Sequence, residues 1–148
     1  VDNSERTTLW IDTALTELSK LEDNKGIELL HTCGRACAKT FPLVRGAAAV
    51  RERYDAGTPI DILFKEFKEE YYNSPLLTKT GNNIVLVFDS CPCPLVKKGI
   101  KNPYLCNCTI GFSKQVFETL FGTKVRVVLE QSILQGGPVC RQAIYVEE

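Results

Sequence analysis

Leu76-Leu77-Thr78-Lys79-Thr80-Gly81-Asn82-Asn83-Ile84-Val85-Leu86-Val87-Phe88 is the stretch where the chain changes period. Two runs rich in apolar and β-branched residues flank a Gly-Asn-Asn step, the pattern of a β-hairpin turning at its glycine. Strands are predicted over 76–80 and 84–88. Upstream of the hairpin the apolar residues recur at helical spacing; downstream they mostly alternate.

Working back towards the start, Asn73-Ser74-Pro75 ends a helix that opens at Thr58-Pro59. Threonine is a good N-cap and proline suits a first helical position. Ile60, Leu63, Phe64, Phe67 and Tyr71 form the face of this helix that is predicted to be buried. A short alanine-rich helix is predicted over 46–54. Another runs over 25–40 and stops before Phe41-Pro42, since a proline disfavours helix at the residue before it. Leu30, Cys33, Cys37 and Phe41 follow one face of that helix, and Gly34 and Ala38 beside them imply close helix packing. The first helix is predicted over 8–21, with Ile11, Ala14, Leu15, Leu18 and Leu21 as its apolar stripe.

Working forward, the second strand runs through Asp89-Ser90 into Cys91-Pro92-Cys93. Residues 97–103 read as loop and 104–109 as a short extended piece carrying Cys106-Asn107-Cys108. A helix is predicted over 110–121, closed by Gly122 as a C-cap. A strand over 124–134, a turn at Gly136-Gly137 and a last strand over 139–146 complete the chain. The class is therefore α+β: N-terminal helices packed on an antiparallel sheet, with a β-β-α-β-β C-terminal half. One domain is expected over 1–148, with 1–75 mostly helical and 76–148 forming the sheet plus one helix.

Eighteen basic and eighteen acidic residues cancel, so no charge imbalance points to nucleic acid. Lys97, Lys98 and Lys101 read as a solvated loop cluster. No run approaches the ~18 apolar residues of a membrane span. The polar opening does not read as a signal peptide, and the absence of methionine agrees with a trimmed start. A cytoplasmic protein is expected. Seven cysteines cannot all pair with one another, and a chain of 148 residues needs no disulfide staples. Reduced thiols follow.

Two Cys-x-Cys steps, at 91–93 and 106–108, place four thiols within eighteen residues. Thiolate is a soft ligand for zinc, copper(I) or an iron–sulfur cluster, which makes a metal site the leading idea. The plainer alternative is that free cysteines serve as small buried apolar residues. Cys33 and Cys37, one helical turn apart, read either as a second ligand pair or as core. His31 is the only histidine and reads as structural or surface.

From Cys106 onward the chain resembles the 4-vinyl reductase-type domain, which includes small-molecule sensors that hold zinc beside their ligand pocket. The residues that carry the likeness are Cys106-Asn-Cys108-Thr-Ile-Gly111-Phe112, the helix end Leu120-Phe121-Gly122, the strand 125–130 and Gly136-Gly137-Pro-Val-Cys140. The Cys-Pro-Cys step and the Ser132-Ile-Leu134-x-Gly-Gly ending are also similar to a bacterial group called L-2-amino-thiazoline-4-carboxylic acid hydrolases. The resemblance implies zinc ligands at Cys106, Glu130 and Cys140. The fourth ligand position falls on Ile133, so Cys108, Cys91 or Cys93 must supply a sulfur if the site is complete. A tight turn at Gly136-Gly137 would set Glu130 and Cys140 on opposite sides of the sheet; only a bulge or wider loop brings them together.

These readings lead first to a sensor-like, small-molecule-binding domain with a cysteine-rich zinc site. Its pocket would lie between helices and sheet, lined by Trp10, Phe64, Phe67, Tyr71 and Phe112, each of which also reads as plain core. The alternatives are a metal- or thiol-dependent hydrolase of a small cyclic amidine or thiazoline acid, and a redox or iron–sulfur protein. A homodimer is expected by analogy with related domains, which pair through their helices.

Overall fold

The computed structural model describes residues 2–147. Helices α1 (Asn3–Ser19), α2 (Lys25–Ala38), α3 (Pro42–Glu52) and α4 (Ile60–Tyr71) precede the hairpin of β1 (Leu77–Thr80) and β2 (Asn83–Phe88). A one-turn helix α5 (Pro94–Lys97) and a 3-10 turn (Pro103–Cys106) lead into α6 (Asn107–Phe121), followed by β3 (Val125–Gln131) and β4 (Cys140–Val146). The four strands form one antiparallel sheet in the order β1-β2-β4-β3. The α+β expectation holds.

Local chemistry accounts for most boundaries. The side chain of Asp2 caps α1, accepting from the Glu5 amide at 2.8 Å. Pro42 sets the first turn of α3, which therefore begins four residues before the predicted start at 46. Gly81 turns the hairpin at φ 59°, and Gly122 closes α6 at φ 68°, both left-handed conformations that glycine adopts without strain. Thr58 does not cap α4: its hydroxyl donates to the carbonyl of Asp55 instead, and Pro59 occupies the cap position.

The 104–109 segment is helical rather than extended. Asn102 accepts from the Tyr104 amide at 3.0 Å, and Pro103 starts the turn that runs directly into α6. Cys106 thus sits at a helix junction and Cys108 in the first turn of α6. Residues 94–97, next to the predicted loop, are likewise wound into a turn behind Pro94.

One sheet face carries the main core. Leu77, Ile84, Leu86, Val125, Val127 and Ile144 meet Leu63, Phe64 and Phe67 of α4 and Val116, Phe117 and Leu120 of α6. A smaller cluster joins Leu15, Leu30, Ile100 and Leu105. The two meet where α2 crosses α6. There the backbones touch: a Cβ on Gly34 would lie 1.8 Å from the Cys108 carbonyl oxygen, and one on Gly111 2.0 Å from that of His31. Glu118 of α6 adds polar ties, bonding Arg35 of α2 at 2.9 Å and the Val125 amide of β3 at 3.1 Å.

Candidate functional site: an apolar cavity walled by thiols

Between the helices and the inner face of the sheet lies a cavity of about 260 Å³. Phe41 after α2, Phe67 of α4, and Phe112, Val116 and Phe117 of α6 form its apolar walls. Leu77, Leu86 and Leu129 of the sheet face them, and residues 91–94 also line the space. Among the described residues, no lining side chain is a carboxylate, an imidazole, an ammonium or a guanidinium group.

Six of the seven cysteines line this space: Cys37, Cys91, Cys93, Cys106, Cys108 and Cys140. Both Cys-x-Cys steps and Cys140 therefore meet at one cavity. Cys106 Sγ stands 2.9 Å from the hydroxyl of the buried Ser132, and Cys140 Sγ accepts from the Ile133 amide at 3.4 Å. Burial pushes the Cys106 and Cys91 thiols up, and that of Cys108 up to about 12. Desolvation is the leading cause in each, since a thiolate loses its hydration inside the fold. The neighbouring sulfurs push the same way, because one thiolate disfavours the next. Cys91, Cys106 and Cys108 consequently stand as protonated, weakly polar wall groups at neutral pH.

Among the described residues, no three Cys, His, Asp or Glu side chains are grouped to hold one metal. Glu130 is set apart: it lies at a β-bulge between Leu129 and Gln131, and its carboxylate accepts from Arg141 at 3.1 Å on the solvent side. The bulge and wider loop that could have united Glu130 with Cys140 are present, yet they turn Glu130 outward. Cys33 and Cys37 are both exposed because the buried edge of α2 is Gly26, Leu30, Gly34 and Ala38. Only Cys37 of that pair reaches the cavity.

Of the predicted aromatic lining, Phe67 and Phe112 are in place. Phe64 packs in the core outside the cavity, and Tyr71 lies across Gly46, while its neighbour Tyr72 lines the cavity instead. Trp10 is a clear correction. It is 73% exposed on α1, because that helix buries the edge carrying Leu15, Ile11 and Leu18.

The residues that sequence reasoning missed are polar. Ser113 of α6 and Gln142 of β4 are 3% and 0% exposed, and both face the cavity. The Ser113 hydroxyl donates to Gln142 Oε1. The signal was present: Gln142 is in phase with Cys140, Ile144 and Val146, a polar residue on the inward side of a strand.

The whole chain, residues 1–148, matches the model of a family of unknown function, DUF6144, and belongs to that family. No curated protein matches it. Among solved structures, the fold is similar to that of a trafficking protein particle complex subunit 3 from Naegleria fowleri, covalently bound to palmitic acid. The two share 16% identity with a TM-score of 0.50, over 99% of this chain and 96% of that one.

Proposed function

We propose that this chain is a small-molecule-binding module that takes an apolar ligand into the cavity between α2, α4, α6 and the sheet. The observation that carries the reading is a cavity of about 260 Å³ walled by Phe, Leu, Val and thiols, with no charged lining side chain among the described residues. Such a space favours apolar surface and disfavours an ion. The likeness to a fold in which palmitic acid is held supports a lipid-like occupant. The 4-vinyl reductase-type resemblance of the second half supports a sensor-like role. A hydrolase of a thiazoline or amidine acid draws less support, because the cavity wall offers neither carboxylate nor imidazole as a general base.

Binding of an uncharged naphthylamine dye tests this reading. Wild type is expected to bind the dye with saturable fluorescence, and Val116→Phe, which fills the cavity from α6, to weaken binding at least tenfold while remaining folded. Equal affinity in the two proteins, or no saturable binding to wild type, overturns it.

Zinc, with an iron–sulfur cluster behind it, is kept as a second reading on one observation: the cysteines of both Cys-x-Cys steps and Cys140 line one cavity. It requires loop 91–94 to rearrange so that three sulfurs converge. Metal analysis of protein purified without chelator decides it: about one zinc per chain supports the reading, and metal-free protein with seven titratable thiols removes it.

A further inference from the structure

Three buried side-chain polar atoms lack a hydrogen-bond partner among the described residues: Asp12 Oδ1, His31 Nε2 and Gln142 Nε2. Only the last belongs to the cavity wall. An unpaired donor in a sheet interior is costly and calls for a partner.

Ser113 has one hydroxyl proton and gives it to Gln142 Oε1, which leaves both N–H bonds of Nε2 unspent. Gln142 sits on the central strand β4, paired with Leu86 of β2 on one side and Leu129 of β3 on the other. Its donor therefore projects from a sheet floor whose neighbouring positions are apolar. Of the other hydroxyl side chains in the lining, Ser132 just after β3 is engaged with Cys106, and Thr109 and Tyr72 belong to the helical side, in α6 and just after α4.

We infer that Gln142, held by Ser113, is the specificity-determining residue of the cavity, and that it selects an uncharged apolar molecule carrying one hydrogen-bond acceptor, such as a ketone, ester or amide carbonyl. This inference rests on the cavity being a ligand site. The missing charge decides between acceptors. A carboxylate at Gln142 would be buried with no cation among the described lining residues, so its desolvation would go uncompensated. A neutral carbonyl needs only the N–H that is free. A site built to hydrogen-bond its ligand rejects an analogue that lacks the partner group, because the site's own polar atom is then left unpaired.

Displacement of the naphthylamine dye by methyl nonyl ketone, by the hydrocarbon of equal length and by undecanoate at pH 7 provides the test. Wild type is expected to prefer the ketone by about tenfold over the hydrocarbon, a difference of about 1.4 kcal/mol, and to bind undecanoate more weakly than the ketone. The double variant Ser113→Ala/Gln142→Leu is expected to bind dye and hydrocarbon at least as well as wild type and to lose the ketone preference. The infrared carbonyl band of the ketone bound to wild type is expected below its position in hexane, a readout that does not depend on the variant folding. Dye binding without a ketone preference, a preference that survives the double variant, tighter binding of undecanoate, or an unshifted carbonyl band overturns the inference and leaves the cavity reading standing. Failure of every ligand and of the dye to bind overturns both.

Discussion

At the scale of single residues, burial of thiols makes the fold sensitive to alkali. Cys108 is an acid whose folded pKa is raised from 9.0 to about 12, chiefly by desolvation and then by Cys33, Cys37 and Cys93. Between those values the unfolded chain has released the proton and the folded chain still holds it. The stabilisation is thus complete below pH 9 and disappears as pH rises towards 12. Thermal melts are expected to fall steeply over that window, and Cys108→Ala to flatten the fall relative to its own value at pH 7. An unchanged slope in the variant would assign the alkaline loss to other groups. Glu130 makes the opposite case. Its pair with Arg141 is exposed on both sides, so Glu130→Gln is expected to change stability by less than about 1 kcal/mol and to leave dye affinity unaltered. A large loss of dye affinity in that variant would return Glu130 to the site.

At the scale of elements, the crossing of α2 and α6 is the tightest constraint in the molecule. Any side chain at Gly34 meets the Cys108 carbonyl, which is backbone and cannot rotate away. Gly34→Ala is therefore expected to force the helices apart and destabilise by about 1–3 kcal/mol, read as a lower denaturant midpoint at unchanged m-value. That Gly34 marks close packing was legible from its place beside Ala38, although the partner helix was not. The hairpin and the end of α6 were legible for the same kind of reason: Gly81 and Gly122 are residues whose backbone needs are local. The helical path through 103–109 was not, because two cysteines flanking Asn107 look extended, whereas Pro103 and the Asn102 cap decide the conformation. The site was half legible. Cysteine spacing located the wall of the cavity, but spacing alone cannot say whether sulfurs face one another across an ion or face a common void. Ser113 and Gln142 come from elements far apart in the chain, and their pairing exists only once β4 lies centrally in the sheet.

At the scale of the whole molecule, the cavity lies where the two apolar clusters meet. Phe67 and Phe117 belong to the larger cluster, Leu105 to the smaller, and all three line it. Cys93 and Val96, which also line it, pack on the smaller cluster. An occupant would touch both clusters and replace the contacts that an empty space denies its walls. Binding to the native state alone adds about 2.7 kcal/mol when ligand is present at a hundred times its dissociation constant. In a chain of this size that corresponds to a rise in melting temperature of roughly 5–10 °C. The rise is expected in a single cooperative transition, since the ligand couples the clusters rather than stabilising one. The turn that carries Cys93 and Val96 gives a local readout. The amides of Lys97 and Lys98 bond to the carbonyls of Cys93 and Pro94 at 3.2 Å each, and their hydrogen exchange is expected to slow when the cavity fills. A melting temperature that does not move at saturating ligand would place the bound molecule outside the cavity. A rise without slowed exchange at Lys97 and Lys98 would place it against the larger cluster alone, leaving loop 91–94 uninvolved in holding it.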